Sequence, residues 1–340
     1  MSINLFSDTQ TKPTEKIRQA MAQAEVGDEQ HKTDPTTNLL QERVAELLGH
    51  EAGLFLPSGT MCNEISFRLH IRPGGEEIIC DRTSHPRVAE AGGPAELSGA
   101  HLSLLDGDRG VFTGDQLRAA IQPPDRYSYR SRLVSVEQTT NLGGGRVWPL
   151  ETIQEVLGVA HAHGLSTHMD GARLMNAVVA SGVSAADYAR AFHTAWVDFT
   201  KGLGAPVGAV MVGSRELIDE AWRYKQMWGG AMRQSGIVAA AGLYALDHHI
   251  DRLADDHANA KRLAEGLAEL PGVTIDPATV ETNIVLFEHA DAPRVGEELR
   301  DAGVQVSRMG PTLLRAVTHM DVSSGEIDQA LEIMRGVIAG

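Results

Sequence analysis

Short apolar runs alternate along the chain with longer amphipathic stretches, and the two periods predict different elements. The runs are Gly53-Leu-Phe-Leu56, Glu77-Ile-Ile-Cys80, Arg132-Leu-Val-Ser-Val136, Leu165-Ser-Thr-His-Met169, Trp196-Val-Asp-Phe199 and Val207-Gly-Ala-Val-Met-Val212. Each has the length and bounds of a strand. Thr11 and Pro13 open a predicted helix that reaches about Ala24, with Pro near its first position. Asp34-Pro35 begins another, whose Leu39, Leu40, Val44, Leu47 and Leu48 recur at helical spacing before Gly49 stops it. Strands alternating with helices predict an α/β fold with a mostly parallel sheet covered on both faces.

The texture changes after about residue 245. A charged helical stretch from Asp247 to Leu270 precedes two short apolar segments, Thr282-Asn-Ile-Val-Leu-Phe287 and Pro311-Thr-Leu-Leu-Arg-Ala-Val317. A last helix is predicted from about Ser324 to Val337. This pattern predicts a large domain over 1–245, including an N-terminal arm, and a smaller C-terminal α+β domain over 246–340. The 340 residues suit two packed domains.

Charge narrows the partners. A net charge of −15 without any cluster of Lys and Arg argues against nucleic acid and anionic membranes, and leaves anionic ligands to a few local cations. No stretch approaches the roughly 18 consecutive apolar residues of a membrane span. The first residues lack the charged and apolar regions of a signal peptide, so the cytoplasm is the expected compartment. Cys62 and Cys80 form no CxxC pair and read as small buried apolar residues. His161, His163 and His168 cross a helix end, a turn and a strand, a spacing that favours surface or packing roles over a zinc site. No metal is expected.

The informative segments are His168-Met-Asp-Gly-Ala-Arg173 and Asp198-Phe-Thr-Lys-Gly-Leu-Gly-Ala-Pro206. Asp170 and Lys201 each follow an apolar run, and ligands of open α/β sheets collect outside the carboxyl ends of strands. An incidental ion pair would satisfy this spacing. Gly202, Gly204 and Gly208 around Lys201 instead favour close approach by a ligand. A carboxylate and a lysine facing one cleft suit pyridoxal 5′-phosphate (PLP): the acid keeps the ring nitrogen protonated and the amine forms a Schiff base. Pro57-Ser-Gly-Thr60, between a strand and a helix, offers free N–H groups to a phosphate, or is a plain capped turn. Arg315 shares a period-two face with Leu313 and Val317, so it has an anionic partner or snorkels from an edge strand. No GxSxG, Walker or GxGxxG pattern with a downstream acid occurs.

These segments, with Ser7-Asp-Thr-Gln-Thr11, Thr33-Asp-Pro-Thr36, Ser84-His85, Glu90-Ala-Gly-Gly93, Asn141, Gly144-Gly-Arg-Val147, Gly229-Gly-Ala-Met-Arg-Gln234 and Thr318-His-Met-Asp-Val322, resemble the L-threonine aldolase group of fold-type I PLP enzymes. They run in order over nearly the whole chain. The resemblance implies retro-aldol cleavage of an L-3-hydroxy-α-amino acid to glycine and an aldehyde, with β-elimination or racemisation on the same scaffold as the alternative. It implies Lys201 as the Schiff-base lysine, Asp170 as the partner of the ring nitrogen and His85 stacked on the ring near the substrate hydroxyl. Gly59 and Thr60 would bind the phosphate, with Arg233 supplied by a neighbouring subunit of a homotetramer, a dimer of dimers. Ser7, Arg173 and Arg315 would hold the substrate carboxylate.

Two departures bear on the substrate. His31-Lys32-Thr33 replaces the family's usual Tyr-Gly-Glu, and Glu137-Gln-Thr-Thr-Asn141 replaces Glu-Asn-Thr-His-Asn. Thr140 thus stands where an imidazole is usual, and threonine cannot exchange a proton near pH 7. His85, a bound water or His31 would take over that task, or the reaction would differ.

Overall fold

The computed structural model describes residues 2–339. Its strands in chain order are β1 (Ile3–Asn4), β2 (Ala52–Leu56), β3 (Glu76–Asp81), β4 (His101–Leu105), β5 (Arg130–Glu137), β6 (Ser166–Asp170), β7 (Thr194–Asp198), β8 (Ala209–Gly213), β9 (Val273–Thr274), β10 (Ile284–His289), β11 (Val304–Gln305), β12 (Ser307–Arg308) and β13 (Leu313–Val317). Seven form one sheet in the order β2-β8-β7-β6-β5-β3-β4. The pairs from β7 to β4 are parallel, while β8 is antiparallel to both β2 and β7. The sheet is mostly parallel, as the apolar runs predict.

All six predicted strands are present, shifted by a residue or two at their ends. The seventh, β4, has no counterpart in the apolar pattern: it is an edge strand whose residues from His101 to Leu104 stay partly open to solvent. Helices α1 (Glu15–Ala22), α2 (Pro35–Leu48) and α3 (Gly59–His70) lie close to prediction. Helix α1 starts later than expected, because Thr14 rather than Thr11 caps it by accepting from the Ile17 amide. The charged stretch predicted as one helix from Asp247 is two helices, Gly236–His248 and Leu253–Ala268. The break is held by the ring of His249, which turns to the Leu203 carbonyl at 2.8 Å.

The second sheet, β12-β13-β10-β9, is antiparallel. One face packs Val285, Phe287, Leu314 and Ala316 against Leu263, Leu267 and the final helix, Ser324–Ala339. The N-terminal arm belongs to this layer: β1 pairs in parallel with β11, and Ile3 and Leu5 join the same core. Alternation along β13 turns Arg315 away from that core, toward the loop after β5. No helix of the described residues is long and apolar enough to cross a membrane.

Candidate active site

The chain reverses its direction of growth between β3 and β5, with β4 on one side of β3 and β5, β6 and β7 following on the other. Ligands bind at such switch points in open α/β sheets. Because β8 is antiparallel to both neighbours, β2 runs the same way as β7, and its carboxyl end opens on the same edge. A cavity of about 310 Å³ lies there, reached by Ser7 from the arm, Gly59 from α3, His85, Asp170, Lys201 and Arg315. A larger cleft of about 630 Å³ between α2 and the Arg215–Met227 helix carries none of these groups.

Asp170 ends β6 and is buried. Its Oδ2 accepts from Asn63 Nδ2 at 2.8 Å and its Oδ1 from the Ala172 amide at 3.0 Å. No lysine, arginine or histidine among the described residues forms an ion pair with it. Burial therefore raises its pKa, against the weaker pull of His85 and of the Asn63 hydrogen bond. Glu137, the last residue of β5, is also buried; burial and the Asp170 charge push it up to about 8. Lys201 follows β7, and its Nζ forms an ion pair with the buried carboxylate of Asp198.

His85 follows β3 and opens the short helix His85–Val88. Its Nδ1 meets Glu90 Oε1 at 2.7 Å, and a third of the side chain remains open to the cavity. Burial works to lower its pKa, but the Glu90 hydrogen bond and the charges of Asp170, Glu90 and Glu137 raise it above the usual value. At the start of α3, Ser58 Oγ accepts from the Met61 amide at 3.2 Å. The amides of Gly59 and Thr60, in the first turn, have no acceptor within the helix and sit at its positive end.

Two guanidinium groups close the opposite wall. Arg173 gives Nε and Nη2 to the carboxylate of Asp8, at 2.8 and 2.7 Å, and this pair is buried. Burial alone would raise the Asp8 pKa, but the charge and hydrogen bonds of Arg173 hold it well below the carboxylate range. Arg315 donates from Nη1 to Asn141 Oδ1 at 2.8 Å, while its Nε is buried without a partner. Burial and the nearby Arg173 charge lower its pKa. A small carboxylate would relieve both strains.

The other sequence candidates lie elsewhere. His31 and Arg233 both bind Asp28, at 3.1 and 3.0 Å, on the exposed surface outside the cavity. Thr140 is buried beside Gly110 and Gly143 with its hydroxyl unpartnered, and it does not line the cavity. His168 is buried in β6, between Thr194 Oγ1 at 2.9 Å and Asn63 Oδ1 at 3.0 Å, apart from His161 and His163. Both cysteines are buried.

Sequence reasoning gave no role to Asp8, Asn63, Glu137, Trp196 or Asp198. Nothing in the local sequence marks Asn63 as buried: only the fold turns the six consecutive residues Cys62 to Phe67 of α3 inward together.

The cavity fits PLP. A buried carboxylate without a cation faces the same space as a lysine, and unpaired helix amides lie at one end. Comparison with known proteins agrees. The sequence matches the beta-eliminating lyase family over residues 4–290. It is 37% identical to low-specificity L-threonine aldolase 1 of Arabidopsis thaliana, covering 97% of this chain and 94% of that one. It is also 37% identical to the low specificity L-threonine aldolase of Escherichia coli strain K12, covering 99% of each. Among solved structures, the threonine aldolase of Leishmania major superposes with a TM-score of 0.84 at 19% identity over 99% of both chains.

Proposed function

Because the chain belongs to the beta-eliminating lyase family, in its threonine aldolase branch, we propose that it cleaves L-3-hydroxy-α-amino acids to glycine and an aldehyde with PLP as cofactor. The observation that carries this reading is the buried, cation-free carboxylate of Asp170 beside Lys201 and two guanidinium groups in one cavity. Lys201 would hold the cofactor through Nζ, Asp170 would pair with its ring nitrogen, and the amides of Gly59 and Thr60 would take its phosphate. Once bound there, PLP supplies an electron sink for the pair left on Cα when the Cα–Cβ bond breaks.

The protein's own work is to choose that bond and to move one proton. Arg315 Nε and the free edge of Arg173, with Ser7, hold the substrate carboxylate and so fix which Cα bond is presented. His85, whose Nδ1 is committed to Glu90, offers Nε2 to the β-hydroxyl. It takes the hydroxyl proton as the C–O bond becomes a carbonyl and the aldehyde departs. Return of one proton equivalent to Cα then completes glycine and leaves His85 neutral for the next cycle. With Thr140 outside the cavity, His85 is the imidazole lining it.

Further assignments rest on the same reading. The chain works as a cytoplasmic homotetramer, with residues 1–245 binding the cofactor and 246–340 forming the small domain. Arg233, exposed in its own subunit, serves a neighbour's phosphate site, and His31, exposed beside it on Asp28, bounds the substrate side-chain region from outside the single-chain cavity, whereas Thr140, buried beside Gly110, has no reach to it. The test is a panel of L-3-hydroxy-α-amino acids, including threonine and allo-threonine, offered to the PLP-loaded protein. Equal amounts of glycine and aldehyde support the proposal. Ammonia with a 2-oxo acid, or a change of configuration alone, refutes it.

A further inference from the structure

Two consecutive residues of α3, Asn63 and Glu64, converge on the carboxylate behind His85. The Asn63 amide is fully buried and uses its whole hydrogen-bonding capacity. Trp196 Nε1 can only donate, so its 2.7 Å bond fixes the side on which Asn63 Oδ1 lies, and His168 Nε2 shares that oxygen at 3.0 Å. Nδ2 then donates to Asp170 Oδ2 at 2.8 Å and to Glu90 Oε1 at 2.7 Å. Glu90 Oε1 also meets His85 Nδ1. One oxygen of Glu90 is thus served twice, whereas Glu90 Oε2 and both oxygens of Glu64 are buried without any partner.

Glu64 and Glu90 are 3% and 5% exposed. The Glu64 carboxyl is wedged against the turn that follows Glu90: a Cβ on Gly93 would fall 2.0 Å from Glu64 Oε1, so glycine makes room for it. The surrounding charges offer little relief. His85 is the basic group bonded to this pair, and the neighbouring acids Asp170 and Glu137, both raised by burial, bring no cation to it. Arg68, one turn along α3, reaches instead toward the Ile71 carbonyl and the Tyr224 ring. Lys225 is committed to Glu29. Glu96, on the neighbouring helix Gly93–Ser98, faces solvent.

Three buried carboxyl oxygens without a donor are untenable if both groups are ionised, and two carboxyls sharing a site retain one proton. Burial and the adjoining Glu90 push Glu64 up to about 9. We infer that Glu64 is a positioning residue for the cleavage reaction: a buried neutral acid whose O–H is donated to Glu90 Oε2, so that a singly charged Glu90 orients the His85 imidazole. Ionisation of Glu64 removes that donor and sets a second charge against Glu90, which loosens His85 and ends turnover on the alkaline side.

The inference rests on His85 as the working imidazole, but its first test does not need turnover. In infrared spectra of the holoenzyme at pH 7, the difference between wild type and Glu64→Gln contains the carbonyl band of a protonated carboxyl, which titrates away as the pH rises past 9. A difference made of carboxylate bands alone would overturn the inference, whatever the enzyme cleaves. Kinetically, Glu64→Leu lowers kcat roughly tenfold with little change in KM, since only the donor to a charged group is lost. Glu64→Gln, whose amide still donates, recovers most of that loss, and its kcat no longer falls near pH 9. A Leu variant equal to wild type, or a Gln variant that keeps the alkaline fall, counts against the role. Should the Leu variant fail to fold, the pH profile of the Gln variant decides.

Discussion

Arg315 and Arg173 differ in how their buried charge is met. Asp8 neutralises Arg173 through two hydrogen bonds, but Arg315 has only the neutral Asn141 amide and keeps Nε buried and unpaired. The carboxylate of the proposed substrate would complete it with a charge-assisted bond. Arg315→Leu should therefore raise KM for the amino acid roughly 10- to 150-fold, the equivalent of about 1.5–3 kcal/mol, and leave the visible spectrum of the bound cofactor in place. An unchanged KM, or loss of the cofactor itself, would remove Arg315 from this role. Arg315, Lys201 and Asp170 were legible in the sequence because each breaks an apolar pattern at or just after a strand. Asp8, Asn63 and Glu64 were not. A polar residue buried by contacts far along the chain looks in one dimension like a surface residue, and only the fold shows that Arg173 lies 165 positions from its partner.

The decisive element is the turn from β2 into α3, which must present free amides while packing against β7. Gly59 permits this by lying under the Trp196 ring, where a Cβ would sit 2.2 Å from Cη2. Gly59→Ala should displace the first turn of α3, lower the melting temperature in line with an overpacking cost of about 1–3 kcal/mol, and weaken PLP binding. A variant with native cofactor affinity and stability would show that the turn does not depend on this contact. Strands were the most legible elements, because those buried on both faces read as continuous apolar runs. The edge strand β4 was hidden by its exposure, and the break before the Leu253–Ala268 helix by a tertiary hydrogen bond from His249 that no local period encodes. The position of Thr140 was hidden likewise, since the loop after β5 tucks it beside Gly110.

Across the whole molecule, buried titratable groups set opposing pH dependences. Glu64 and Glu137, raised to about 9 and about 8, keep protons that the unfolded chain releases above its ordinary 4.5, so their contribution is lost as pH rises toward those values. His168, His70 and His257, lowered to about 3, 4 and 4, stay neutral while the unfolded chain takes up protons below 6.5, so theirs is lost as pH falls. Asp8, held low by Arg173, adds to the acid-side loss. The melting temperature of the cofactor-free protein should peak near about pH 6 and decline toward both pH 4 and pH 9; a steady rise from pH 6 to 9 would contradict these assignments. The strands of the second sheet, β9, β10, β12 and β13, all follow the change in texture near residue 245, whereas the return of the N-terminal arm to pair with β11 was not legible, because a two-residue strand carries no period of its own. That return matters to the site: Ser7 from the arm, Arg315 from the second sheet, and His85, Asp170 and Lys201 from the first meet in one cavity, with Asp8 of the arm buried against Arg173 in its wall. The most direct measurement reduces the PLP-loaded protein with borohydride, digests it and locates the modified residue by mass spectrometry. A single pyridoxyl group on Lys201, absent with the visible band and the aldehyde-releasing activity from Lys201→Ala, is the predicted result. A pyridoxyl group on another lysine, or a Lys201→Ala protein that still traps cofactor and releases aldehyde, would contradict the account.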